Sequence, residues 1–387
     1  MSKIYNSTGH EIVIPNITDS DGVYVFDDSG KRYLDLESGV WCLPLGHKNA
    51  RVNQVIKDRI DSIPHAGFCY SNAVVEDAAQ TVLAITHLED GACVFLCSGS
   101  EAIEYARQVS RHITEKPTSM TMHDSYLGSY SSVKNKGKDW YLFDWSECRN
   151  CPDQTECKSD CSKLKAIPGD ISEFLFEPGS SSGFVRFPPA SLIENIVGIV
   201  GANGGKIVVN EVTTGLGRTG KWFGYNHYSI KPDMIAIGKG IGNGYPVSVV
   251  VLDSRTVSEL EAKPFRYMQS HQNDPLGAAV AGEVVNTLAD ENLIMRAQTL
   301  GRVFLKKLIT LVDGKTITDV RGRGLMLAVE FREPEVADNI YKGLLENGYI
   351  VCNRGTLFRI DPPLTIGKND FFAFVEKFRE LLALHDA

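Results

Sequence analysis

The chain has 387 residues, 43% of them hydrophobic and 23% charged, with a formal net charge of −8. It is longer than one core usually grows, so two domains are expected, and its composition is ordinary for a folded enzyme. An acidic balance without a basic stripe argues against nucleic acid as the main partner, and no apolar run approaches the length of a membrane span.

The first residues, Met1 to Asn6, run into polar sequence with no apolar leader, so a cytoplasmic location is expected. Strand-like apolar runs then appear at 93–97, 119–122, 173–176, 206–209, 234–237 and 247–252, with helical stretches such as 100–113 and 190–201 between them. Runs that are apolar at nearly every position indicate strands buried on both faces. The alternation therefore predicts an α/β fold with a mostly parallel central sheet and ligands at the carboxyl ends of its strands. Beyond about residue 265 the pattern changes. Helical stretches near 275–289, 292–312, 335–347 and 369–384 surround short strands such as 325–331, which predicts a smaller α+β domain.

Nine cysteines, an odd number spread along a long chain, do not describe a disulfide framework, and most are expected to be reduced. Four of them, Cys148, Cys151, Cys157 and Cys161, form C-x2-C-x5-C-x3-C in a short polar segment that also holds Pro152. That spacing suits zinc or an iron–sulfur cluster, but the second half lacks a C-x2-C knuckle. Surface or packing thiols are the expectation, and metal ligation is the alternative.

Lys239 closes the apolar run 233–238 and is followed by Gly240, Gly242 and Gly244. Glycine lets backbone close in on a ligand, and a partly buried ammonium loses its proton easily, so this lysine is suited to a Schiff base. The glycines fit neither common nucleotide-loop spacing. Further back, Cys97-Ser98-Gly99-Ser100-Glu101 ends a strand and opens a helix, where backbone N–H groups favour an anion.

Taken together, residues 206–252, which include Asn210-Glu211-Val212-Thr213-Thr214-Gly215, Gly217-Arg218-Thr219-Gly220 and Lys239, resemble the signature of class III aminotransferases. These are fold type I enzymes that use pyridoxal 5'-phosphate (PLP), and the resemblance extends over nearly the whole chain. It implies a large PLP-binding domain at 46–264, and a small domain made of 1–45 and 265–387. It also implies that Lys239 forms the aldimine, that Gly99 and Ser100 bind the phosphate, and that Ser270, five positions before Pro275, contributes to the partner's site in a homodimer. Met122, His123, Asn210, Glu211 and Val212 are implied to line the cofactor, and Trp41 and Arg359 the substrate pocket, with Arg359 gripping a carboxylate. Arg218 is expected to be structural.

Two departures stand out. Asn210 occupies the position where the family has an aspartate beside the pyridine nitrogen, and an amide supplies no negative charge there. Met122 stands where an aromatic ring usually stacks on the cofactor, with Tyr126 as an alternative platform. The function implied is transfer of an amino group between an amino acid or amine and a keto acid or aldehyde. The alternatives are a PLP-dependent racemase, epimerase, lyase or mutase on the same scaffold, or a non-catalytic metal-binding relative.

Overall fold

The computed structural model describes residues 3–385 except Phe68, Gln154, Ser180 and Ser181. In chain order the strands are β1 (Ile17–Asp21), β2 (Tyr24–Asp27), β3 (Arg32–Asp35), β4 (Ala92–Leu96), β5 (Thr118–Met122), β6 (Trp140–Phe143), β7 (Ile171–Phe176) and β8 (Lys206–Asn210). They continue with β9 (Met234–Ile237), β10 (Ser248–Leu252), β11 (Ile317–Arg323), β12 (Met326–Phe331), β13 (Tyr349–Ile350), β14 (Cys352–Asn353) and β15 (Leu357–Ile360).

Seven strands form the central sheet in the order β4-β10-β9-β8-β7-β5-β6. Alternate side chains enter different cores. Ile207 and Val209 of β8 join Ile235 and Ile237 of β9 in the larger apolar cluster, while Val208 and Ala236 join a second cluster on the opposite face. Burial on both faces is why these strands are apolar at nearly every position. The Gly99–Thr114 helix covers the second face through Ala102, Ile103, Ala106 and Val109. The Ala190–Ala202 helix covers the first through Leu192, Ile193, Ile196 and Val200.

The sheet is mostly parallel, with β10 antiparallel to both β4 and β9. The reversal follows from chain length. The connection from β9 to β10 contains no crossover helix, and only a crossover returns a strand in the parallel sense. That short connection carries Lys239.

Two four-stranded sheets complete the fold. Strands β1, β2 and β3 pair with β13, which comes from the C-terminal part, Leu34 lying opposite Tyr349 and Asp35 opposite Ile350. Strands β11, β12, β15 and β14 form an antiparallel sheet. The helices expected in this part are Pro275–Asp290, Leu293–Ile309, Pro334–Glu346 and Lys368–His385. The second of them ends at Ile309, short of the expected 312.

Candidate active site

Since β10 alone is reversed, β4, β5, β7, β8 and β9 all end on one rim of the sheet, and the segments 97–101, 123–128, 210–213 and 238–243 leave it there. Residues far apart in sequence therefore converge on one edge, the place where open α/β sheets bind ligands.

At the first segment, Ser98 caps the Gly99–Thr114 helix, its Oγ accepting from Glu101 N at 3.2 Å, and Glu101 Oε2 accepts from Cys97 N at 2.9 Å. Ser100 Oγ accepts from Ser129 N at 3.0 Å, which holds the 123–129 turn over the helix end. A Cβ on Gly99 would stand 2.7 Å from Val212 Cγ1, and one on Gly238 would stand 3.0 Å from Gly99 Cα. The two glycines therefore let the helix N-terminus, the end of β8 and the end of β9 come together. Gly99→Ala is expected to force this junction apart, costing about 1–3 kcal/mol because branched Val212 has little room to move. It should weaken retention of a bound phosphate group, read as a higher dissociation constant for PLP and a lower melting temperature.

Lys239 is only partly buried and holds φ at +45° in a short 3-10 turn. Its Nζ lies 5.4 Å from the centre of the Trp41 ring. Burial pushes its pKa down, and the positive charge of Arg359 adds to this, while Cys42 and Glu177 pull it back up. The sign favours a neutral, nucleophilic amine below the ordinary lysine range. Asn243, in the same loop, accepts from Leu45 N at 3.0 Å and donates to Gly46 O at 3.1 Å. These two bonds clamp the N-terminal segment over the lysine, and this contact was not foreseen from sequence.

Asn210, at the end of β8, is buried. Its Oδ1 accepts from Val212 N at 3.2 Å and its Nδ2 donates to Tyr126 O at 3.1 Å. A backbone N–H can only donate and a carbonyl can only accept, so these partners fix which end of the amide is which. The neighbouring Glu211 turns inward. Its carboxylate accepts from Gly224 N at 2.8 Å, Tyr225 N at 2.7 Å and Thr214 Oγ1 at 2.7 Å, and burial still pushes its pKa up to about 7. Glu211 thus fastens the 211–225 loop. Thr213 follows with a buried hydroxyl that has no hydrogen-bond partner, in a small cavity also lined by Trp41, Val212, Gly238 and Gly240. A single Thr carries no periodic or motif signal, and only the fold reveals it.

Met122 is placed in the larger apolar cluster at 1% exposure. His123 turns toward Asp144, 3.5 Å from its Nδ1. Tyr126 lies between the Asn210 bond and the helix end. Its backbone N donates to Glu177 Oε2 at 3.1 Å, its hydroxyl meets Ser129 Oγ at 3.1 Å, and its side chain is half exposed. Ser180 and Ser181, shortly after Glu177 and Pro178, lie outside the described residues.

Ser38, Gly39, Val40 and Trp41 all have positive φ, between 50° and 65°, an unusual run for side-chain-bearing residues. It is held by Gly39 N donating to Asp35 Oδ2 at 3.2 Å, by Trp41 N donating to Glu37 O at 3.0 Å, and by Ser38 Oγ donating to Asp361 O. The turn lays the Trp41 ring 3.5 Å from the Arg359 guanidinium carbon. Arg359 is buried, donates from Nε to Asp361 Oδ2 at 2.7 Å and reaches Glu37 Oε1 at 3.3 Å. Asp361 is itself pushed up to about 6 by burial, against the pull of Arg359 and Arg218. Arg218 is buried and spans the carbonyls of Leu325 and Pro362 and the Ser38 hydroxyl. Ser270 is exposed in the loop before the Pro275–Asp290 helix, next to Gln269, whose amide reaches Cys97 Sγ at 3.2 Å. Cys148, Cys151, Cys157 and Cys161 are partly buried, unpaired thiols in the β6–β7 connection.

These residues fit a phosphorylated, carbonyl-bearing cofactor. The fit rests on a helix N-terminus beside glycines that admit no Cβ, an orphaned buried hydroxyl at Thr213, and a lysine with a depressed pKa. The family model described as "Aminotransferase class-III" matches residues 4–382. Acetylornithine aminotransferase of Bacillus subtilis is 29% identical over 392 residues, covering 100% of this chain and 99% of that protein. The leucine/methionine racemase of Thermococcus litoralis is 28% identical, covering 93% and 88%. In fold, the taurine:2-oxoglutarate aminotransferase of Bifidobacterium kashiwanohense, solved in complex with PLP and glutamate, superposes with a TM-score of 0.89 at 21% identity, covering 98% and 95%. The match along nearly its full length means that this chain belongs to the class III aminotransferases, enzymes that use pyridoxal 5'-phosphate to move an amino group from a donor to a keto acid acceptor.

Proposed function

We propose that this enzyme takes an α-amino acid as donor and a 2-oxo acid as acceptor, with Lys239 as the covalent and proton-transferring residue and Arg359 as the carboxylate grip. PLP supplies an aldehyde that captures the amine and a ring that withdraws electrons from the substrate carbon. Lys239 Nζ, whose charged form burial disfavours, serves first as nucleophile and then as the base that moves a proton on the reacting face. The amides of Gly99 and Ser100 at the helix N-terminus would hold the phosphate, and Val212, packed against Gly99, and Tyr126, bonded to Ser129, would line the site beside it. Met122 and His123 would support that face from behind rather than stack on it, since one is packed in the core and the other turns to Asp144. Glu211 would keep the loop in place. Trp41 and Pro44 would exclude water from the substrate side.

One observation carries this proposal: Lys239 and the glycine-lined helix N-terminus meet at one rim, and the Trp41 ring lies between Lys239 and Arg359, whose charge reaches the lysine. To test it, donors are mixed singly with the PLP-loaded enzyme and the loss of the visible band of lysine-bound cofactor is followed. α-Amino acids should discharge it fastest, and no discharge by any of them would sink the proposal. Arg359→Lys keeps the charge but loses the planar fork, so kcat/KM for α-amino acids should fall about tenfold, equivalent to about 1.4 kcal/mol. Amines that lack a carboxylate should be unaffected.

Three further features belong to the proposal. The enzyme is expected to act as a homodimer, with the hydroxyl of exposed Ser270 reaching the partner's phosphate site. Met268, at 85% exposure in this loop, and Ile63, at 40% beside His65, leave apolar side chains exposed there, while Asp274 bonds both His65 and His271. A cytoplasmic location is supported by nine unpaired thiols, which suit a reducing compartment. A large unit at 46–264 with a small one made of 1–45 and 265–387 is supported by the pairing of β3 with β13.

A second reading, racemisation on the same scaffold, is favoured by Asn210, because an amide beside the pyridine nitrogen withdraws less charge than an ion pair. Proton exchange at the α-carbon without discharge of the cofactor band would select it over transamination.

A further inference from the structure

We propose that Lys136 is a positioning residue for the cofactor site, because its ammonium and the carboxylate of Glu177 grip opposite ends of the peptide bond between Ser125 and Tyr126. Lys136 Nζ donates to Ser125 O at 2.6 Å, and Tyr126 N donates to Glu177 Oε2 at 3.1 Å. The carbonyl and the N–H of one trans peptide unit point in opposite directions within a rigid plane. The positive group therefore meets the negative end of the peptide dipole, and the negative group meets the positive end. Both bonds are charge-assisted, and Ser125 and Glu177 are buried, where such bonds are screened little. The plane cannot turn without breaking both.

The sequence sets three lysines close together, Lys134, Lys136 and Lys138, in the connection between β5 and β6. Lys134 and Lys138 are exposed, whereas Lys136 is partly buried and folds back onto the turn that opens the same connection. Burial pushes its pKa down, while the carboxylates of Glu177 and Asp124 pull it back up. The grip decides where the next carbonyl points. Tyr126 O accepts from Asn210 Nδ2 at 3.1 Å, and Asn210 Oδ1 in turn accepts from Val212 N at 3.2 Å. Shortly after, Ser129 N donates to Ser100 Oγ at the helix N-terminus. The turn thus joins Asn210 to the helix end, two of the places where the function proposed above, on which this inference rests, puts the cofactor.

Glu177 also bears on Lys239, whose pKa it raises against the effect of burial. An ammonium on Lys136 offsets part of that carboxylate's field. The other groups felt at Lys239 are Cys42 and Arg359, which a change at position 136 leaves in place.

The test titrates full-length apoenzyme with PLP and follows the visible band of the holoenzyme as pH is varied. Lys136→Met, similar in length but without charge or donor, should raise the PLP dissociation constant about tenfold, as expected when a hydrogen bond from a charged group is lost. The pH at which the band of lysine-bound cofactor changes should rise, since the carboxylate of Glu177, less offset, favours the protonated form of the bound nitrogen more strongly. In amino transfer kcat should fall while KM for the donor stays level, because the carboxylate grip at Arg359 is untouched. Lys136→Arg keeps charge and donor and should restore both the dissociation constant and the pH midpoint. Lys134→Met and Lys138→Met should leave both unchanged. If Lys136→Met does not fold, Lys136→Gln, a shorter and neutral donor, should show the same two shifts. A dissociation constant close to that of the unaltered chain, a midpoint that does not rise, an effect confined to KM, or an equal loss in Lys134→Met overturns the proposal. Lys239→Ala separates this failure from failure of the proposed function. If Lys136→Met is without effect and Lys239→Ala is inactive, positioning by Lys136 falls alone, whereas activity retained by Lys239→Ala removes the function whatever position 136 does.

Discussion

Lys239→Ala is expected to lower kcat for amino transfer by about three orders of magnitude or more, equivalent to about 4 kcal/mol of transition-state stabilisation. In the function proposed above the residue combines two tasks at one nitrogen, covalent capture and proton transfer, and among the described residues the amine is the only lysine held in the 238–243 loop between β9 and β10. The variant should still bind PLP without a covalent link, because the helix N-terminus at Gly99 and Ser100 and the Asn210 amide are untouched. Its melting temperature should change little, since among the described residues the amine makes no ion pair that would be broken. Single-turnover kinetics with PLP dialysed in, beside a melting curve, separate lost chemistry from lost folding. Activity within tenfold of the unaltered enzyme would remove Lys239 from its assigned role. The remaining nucleophilic chemistry should also depend on pH. Neutral amine accumulates as pH rises through a pKa held below the ordinary lysine value, so re-association of PLP with apoenzyme should quicken with pH and level off earlier than for an exposed lysine.

Asn210→Asp is expected to speed discharge of the cofactor by an amino donor about tenfold while lowering the stability of the apoenzyme. Two effects of opposite sign meet at one side chain. In the protein without cofactor, the new carboxylate replaces an amide N–H that donates to Tyr126 O, which leaves two acceptors 3.1 Å apart in a buried place, at a cost of about 1–3 kcal/mol. With PLP bound, a carboxylate beside the pyridine nitrogen favours its protonated form, and about 1.4 kcal/mol of added electron withdrawal is a factor of ten in rate. The side chain should rotate to keep the bond from Val212 N, which can donate to either carboxylate oxygen. Stopped-flow discharge of the holoenzyme and melting of both forms should show a larger stability loss in the apoenzyme. A rate that stays level or falls with cofactor fully bound would show that the amide is not what limits electron withdrawal.

Much of the fold was legible because two physical signals are local. Buried strands are apolar at successive positions, so 206–209 and 234–237 marked β8 and β9 to within a residue, and the change to helical spacing after 265 marked the C-terminal helices. Strands paired at the edge were harder to see. β6 reads Trp-Tyr-Leu-Phe with mixed burial and was not distinguished, and β13 and β14 are two residues each. Reversal of β10 depends on a partner's direction, which no residue encodes alone.

Lys239 and Gly99 were legible in the sequence itself, because a lysine between a strand and glycines and a glycine at a helix start each state their chemistry locally, whereas Asn210 stood out only against the family resemblance. Tertiary structure alone decided that Glu211 turns inward to backbone N–H groups, that Met122 packs in the core, that Thr213 is left with an unpartnered hydroxyl, and that a left-handed turn lays Trp41 on Arg359. The physical reason is that side-chain direction and hydrogen-bond satisfaction depend on which atoms arrive from distant segments, and residues 41, 213 and 359 come together only after the chain has folded.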